Sequence, residues 1–165
     1  MKKTIIRCTL DAKDIARAIK DLKAYKKNFL EKEKALLEGL ANIGIREASV
    51  RFTTAMYDGV NDVSVRLDKT NKGYAIVAEG KAVAFIEFGA GVYHNTGEPY
   101  PNPRPEGIVG IGEYGKGKGK RKAWGYENEN GEIVITRGNP AAMPMWYASE
   151  EIRNSVLRIA REVFK

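Results

Sequence analysis

The sequence predicts an α+β fold: a small, mostly antiparallel sheet, with a long N-terminal helical segment and a C-terminal helix packed on one face. Three observations carry this. Apolar residues recur at spacings of three and four from Asp11 to Met56 and again from Met145 to Phe164. Short runs between them alternate apolar with polar. A Gly-, Pro- and Lys-rich loop, 93–122, interrupts those runs. At 165 residues the chain suits one domain, 1–165, able to bury roughly 70% of its unfolded surface.

The first element is read as a strand. In Lys3–Leu10, Ile6, Cys8 and Leu10 alternate with Arg7 and Thr9, so Cys8 is expected to face inward as an inert small hydrophobe. Asp11 is placed to cap the helix that follows, with Asp14 in its first turn. Ile15, Ile19, Leu22, Tyr25 and Phe29 begin the helical stripe, and Leu36, Leu37, Leu40, Gly44, Ala48 and Phe52 continue it. One helix over the whole stretch would be long for a small domain, so a break is expected near Lys27–Glu33. Gly44 lies on the apolar stripe, where it predicts close approach of another element.

Val63, Val65 and Leu67 alternate with polar residues, and Asn71-Lys72-Gly73 is turn chemistry before a second strand at Tyr74–Glu79. Val83–Phe88 is short, apolar and rich in aromatic residues, so it reads as a third strand ending at Gly89-Ala90-Gly91. Glu87 sits within this run, where a buried carboxylate requires a partner. That partner is expected to be a backbone amide of the 89–91 turn or an arginine, from this chain or from a neighbouring subunit. Glu87 is therefore read as an organising contact and not a catalytic acid.

The loop 93–122 holds seven of the 17 glycines and four of the six prolines. Pro99, Pro101, Pro103 and Pro105 exclude a helix or central strand there. Lys116, Lys118, Lys120, Arg121 and Lys122 are candidate contacts for DNA phosphates or an acidic partner. Glycine entropy and mutual repulsion predict that their segment is mobile in an isolated subunit. Asn130-Gly131 signals a hairpin between Ala123–Tyr126 and Glu132–Arg137. Pro144 is placed in the first turn of the last helix, whose stripe is Met145, Ala148, Ile152, Val156, Ile159 and Val163. Leu157 and Phe164 lie beside that stripe and are candidates for a subunit interface.

The net charge is +7, and residues 1–60 carry 13 basic against 8 acidic groups. That balance favours polyanions or acidic protein surfaces, although cations interspersed with acids also mark a solvated helix face. No apolar run approaches the ~20 residues needed to span a bilayer. Met1-Lys2-Lys3 is followed by too few apolar residues for a secretory leader. One cysteine excludes an internal disulfide framework. His94 is the only histidine, and no second His or Cys stands at metal-ligand spacing. None of the four serines lies in a Gly-x-Ser-x-Gly elbow. The phosphate-loop near-matches at Gly110…Lys116 and Gly112…Lys118 are followed by Gly in place of Ser or Thr. No catalysis and no cofactor are expected.

Ile86-Glu87-Phe88-Gly89-Ala90-Gly91 resembles the Glu-Phe-Gly-Thr-Gly signature of the tail-completion, or head–tail joining, proteins of long-tailed double-stranded DNA bacteriophages, with Ala90 in place of the usual Thr. Gly138-Asn139-Pro140-Ala141 and Met143-Pro144-Met145-Trp146 are similar to that family's approach to its last helix. The resemblance covers most of the chain outside the glycine-rich loop. It implies a structural virion protein of the neck, assembled in the bacterial host cytoplasm, that forms a ring, a hexamer to match tail symmetry, around the DNA channel. It implies tail-terminator, tail-tube and head-connector proteins as neighbours, with Glu87, Phe88, Gly89 and Gly91 as organising or interface residues. A small basic nucleic-acid-binding module, using the Gly-Lys loop and the interleaved Tyr93, Tyr100 and Tyr114, is the alternative.

Overall fold

A computed structural model describes residues 5–91, 113–114, 117–118, 122–128 and 130–165. The fold is α+β. A single helix, α1 (Ala12–Thr54), leads into the antiparallel hairpin β1 (Ser64–Thr70) and β2 (Gly73–Glu79), then a short helix, α2 (Val83–Phe88). Two-residue strands β3 (Glu113–Tyr114) and β4 (Gly117–Lys118) pair within the predicted loop. The hairpin β5 (Trp124–Glu127) and β6 (Ile133–Thr136) precedes the last helix, α3 (Pro144–Val163). The strands form separate two-stranded antiparallel pairs.

The Asp11 side chain accepts from the amides of Lys13 and Asp14, as its capping position predicts. The expected break at Lys27–Glu33 does not occur: α1 runs unbroken for 43 residues. Residues 27–33 contain neither Gly nor Pro, and α3 lies antiparallel beside the C-terminal part of α1, splinting it. The Phe29 and Phe164 rings are 5.8 Å apart at one end of this contact, and Arg51 lies 3.9 Å from the Tyr147 ring centre at the other.

The expected strand at Lys3–Leu10 is also corrected. Residues 5–9 have no strand pairing, and Cys8 is exposed rather than inward. Among the described residues the β1–β2 pair has no third strand beside it, so the alternating pattern of 5–9 has no ladder to join. Among the described residues, the core is centred on Phe52, Ala82 and Ile86, with Tyr57, Val63, Val65, Ala78 and Met145 against it.

The predicted stripe of α3 is shifted by part of a turn. Ala148 and Ile159 are buried and Ile152 is half-buried, but Val156 is exposed and Ser155 is buried in its place. The Ser155 hydroxyl tolerates that site because it bonds Glu151 and accepts from Arg158. In the β5–β6 hairpin, pairing of Glu127 with Ile133 leaves a five-residue turn instead of the expected two. Asn128 Oδ1 closes it by accepting from the amides of Asn130 and Glu132, both at 2.9 Å.

Gly44 fulfils the close-approach reading on two sides at once. A methyl group there would sit 2.4 Å from the Cδ1 atoms of both Ile152 on α3 and Ile76 on β2. Gly39 is more open, its nearest neighbour being an Ile159 methyl at 3.1 Å. Alanine raises helix propensity by about 1 kcal/mol at either position. At Gly44 overpacking of about 1–3 kcal/mol opposes and exceeds that gain. Gly44→Ala is therefore expected to lower the urea midpoint while Gly39→Ala leaves it nearly unchanged or raises it; equal effects at the two positions would contradict this packing.

Candidate functional site

Val83–Phe88, expected as a strand, is helical. The reason lies in its partners. The Asp62 carboxylate accepts from the amides of Lys81 (2.8 Å) and Ala82 (2.9 Å) ahead of the first turn. At the other end the Phe85 carbonyl accepts from Asn139 Nδ2 (2.7 Å), and the Ile86 carbonyl accepts from the Ala142 amide (2.9 Å). Both ends of a helix too short to be stable alone are thus satisfied by distant residues. Ile86, Glu87 and Phe88 are all buried, which no one-sided strand would allow.

Glu87 is only 4% exposed. Its Oε2 accepts from the Met145 amide at 2.8 Å and its Oε1 from the Trp146 amide at 3.1 Å. These are amides of the first turn of α3. Met143, the residue before that helix, is in the left-handed region at φ 53° and provides no side-chain cap, and Pro144 has no N–H. Glu87 thus caps α3 from another element. Backbone amides were the expected kind of partner; their location on α3, and not in the 89–91 turn, is the correction.

The glycines beside Glu87 serve close contact. Gly89 has φ 75°, and a Cβ on it would meet the Ala141 amide nitrogen at 2.7 Å. Gly91, at φ 77°, lies against the Trp124 ring. Between them, Ala90 exchanges both backbone hydrogen bonds with Asn139, at 2.9 and 3.1 Å. Gly138 lies directly over the Ala90 carbonyl with φ 78°. The segments 86–91 and 138–146, about fifty residues apart in sequence, therefore form one buried unit. Asn139, 2% exposed, is central to it. Its signal was an Asn between Gly and Pro, where a side-chain amide serves backbone groups.

The other expected site residues are elsewhere. Leu157 is exposed on α3 and Phe164 packs on Phe29, both at the far end of α3 from Glu87. Lys122 is exposed, the Lys118 backbone is in β4, and Lys116, Lys120 and Arg121 lie outside the described residues, as do Tyr93, His94 and Tyr100. A cleft of about 490 Å³ opens between residues 57–62, α2 and the β5–β6 hairpin, lined by Tyr57, Phe85, Trp124 and Tyr126. Of its carboxylates, Asp62 holds the Lys81 and Ala82 amides just ahead of α2, Asp58 accepts from the Thr136 hydroxyl, and Glu127 is exposed. Among the described residues, no group of three or more His, Cys, Asp or Glu could hold a metal ion, and no helix is long and apolar enough to cross a membrane. Compared with protein-family models, curated proteins and solved structures, the chain matches none.

Two predictions follow from the capping geometry. Glu87→Gln replaces one acceptor with an NH2 that faces an amide donor, leaving a buried N–H unsatisfied. A loss of about 1–3 kcal/mol in unfolding free energy is expected by chemical denaturation; an unchanged midpoint would mean that the cap contributes nothing. The amides of Lys81 and Ala82 hold the Asp62 carboxyl below its ordinary value of 3.8. A lowered folded-state pKa contributes stability above the unfolded value that is lost as pH falls through the folded one. Wild type is therefore expected to lose stability more steeply than Asp62→Asn as pH drops below 3.8, and parallel acid limbs would show that the two bonds carry no linkage.

Proposed function

We propose that this chain is a structural ring subunit of the neck of a long-tailed bacteriophage, joining the completed tail to the filled head. The observation that carries the reading is the meeting of the two segments bearing the family resemblance. Glu87, from Glu-Phe-Gly-Ala-Gly, caps the helix that starts at Met143-Pro144-Met145-Trp146, and Ala90 pairs with Asn139. Residues that together make one buried support are suited to a rigid scaffold subunit. Two of the acids lining the adjoining cleft are also engaged structurally: Asp58 bonds Thr136 and Asp62 bonds backbone amides. The ring has six copies to match tail symmetry, and its neighbours are the tail-terminator, tail-tube and head-connector proteins. The cations Lys116, Lys118, Lys120, Arg121 and Lys122 contact phosphates of the passing DNA without reading sequence.

Light scattering of the purified chain, with and without duplex DNA over a range of salt, tests this. Self-association into a closed species without DNA is expected. A chain that stays monomeric alone and forms only a salt-sensitive complex with DNA would overturn the neck reading in favour of a nucleic-acid-binding module.

A further inference from the structure

Helix α3 does not cover the first half of α1, where Ala18 is the one buried residue among those described. Helix α3 ends beside residues 29–32, where Phe164 lies on Phe29 and Lys32 Nζ donates to the Lys165 carbonyl. Residues 12–28 extend past that point, a length of about 25 Å at 1.5 Å per residue. Ile15, Ile19, Leu22 and Tyr25 share one face of this arm and are all exposed, Leu22 at 54%. A helix of this length gains little from propensity alone, so its exposed apolar side chains form a surface to be buried further. The arm is also basic. Residues 12–30 carry six cations and two carboxylates, and Lys23, Lys26 and Lys27 border Leu30.

A second uncovered apolar surface lies at the opposite end. On β6, Ile133 and Ile135 point to the same side and are 69% and 70% exposed. Gly125, opposite Ile135 in the ladder, has no side chain to cover them. The exposed acids beside them are Glu127 and Glu132. This hairpin is tied to the body where Thr136 meets Asp58, just past the C-terminal end of α1. The arm and the hairpin thus stand at opposite ends of a helix about 65 Å long. They cannot meet within one molecule.

We propose that the arm of one copy docks on the β5–β6 hairpin of the next copy of this same chain. The apolar faces match, and the basic border of one meets the acidic border of the other. Pairing arm with arm would instead set the two cationic segments against each other. Because two different patches are used, the contact is heterologous, and its repetition closes a ring when the rotation between copies allows. Ring closure rests on the proposed neck function; the pairing of surfaces does not.

Sedimentation velocity of full-length variants tests the contact. Leu22→Asp on the arm and Ile135→Asp on the hairpin alter exposed side chains, and circular dichroism checks that each is folded. Each variant alone is expected to lose at least tenfold in association. Mixed, they should form a 1:1 pair, because the arm of Ile135→Asp and the hairpin of Leu22→Asp remain intact. Charge reversal supplies a test that needs neither variant: Lys23→Glu with Lys27→Glu weakens assembly, and adding Glu127→Lys with Glu132→Lys restores it. An assembled wild type with Ile135→Asp equally assembled overturns this contact and leaves the neck reading standing. A mixture that stays monomeric also overturns it. Normal pairing of the mixture, with open chains in place of a closed ring for wild type, counts against the neck reading alone.

Discussion

The buried carboxylate of Glu87 on the first-turn amides of α3 is the contact on which the local architecture depends. A helix leaves its first amides without internal partners, and here the preceding residues supply none: Met143 makes no side-chain cap and Pro144 has no N–H. The acceptor must come from elsewhere. Burial of a carboxylate is costly, but two amide bonds and the positive end of a 20-residue helix offset that cost. The geometry then constrains everything near it. Segment 86–91 must lie against 138–146, so Gly89, Gly91 and Gly138 adopt positive φ where a Cβ would collide. The helical form of α2 follows, since its last carbonyls are met by Asn139 and Ala142 of the same opposing segment.

The long helix is constrained differently. Its C-terminal part is held by close approach, with Gly44 admitting Ile152 and Ile76 together. Its N-terminal part carries one buried residue, Ala18, and side-chain pairs such as Arg17–Asp14. Such exposed pairs contribute little each. The chain therefore has a packed body and an amphipathic arm.

The local elements with self-contained signals were legible in the sequence. Asp11 announced its cap, Asn71-Lys72-Gly73 its hairpin turn, Pro144 the start of α3, and Gly44 a close approach, because each effect acts over a few residues or one missing side chain. The burial requirement of Glu87 was legible too, from a carboxylate among apolar neighbours. What the sequence did not reveal was where its acceptors would bond, since α3 begins almost sixty residues later.

Tertiary structure decided the rest. Val83–Phe88 has strand-like composition but is helical, because Asp62, Asn139 and Ala142 satisfy its ends from a distance. Lys3–Leu10 has strand-like alternation, yet the described residues 5–9 have no ladder to join. The helix expected to break at Lys27–Glu33 stays whole as α3 lies along its C-terminal part. Val156 and Ser155 exchange roles because the buried face of α3 is set by what it packs against. Sequence alone determined where the chain can turn, cap and bury; the partners that complete each short element come from residues far along the chain, and only folding brings them together.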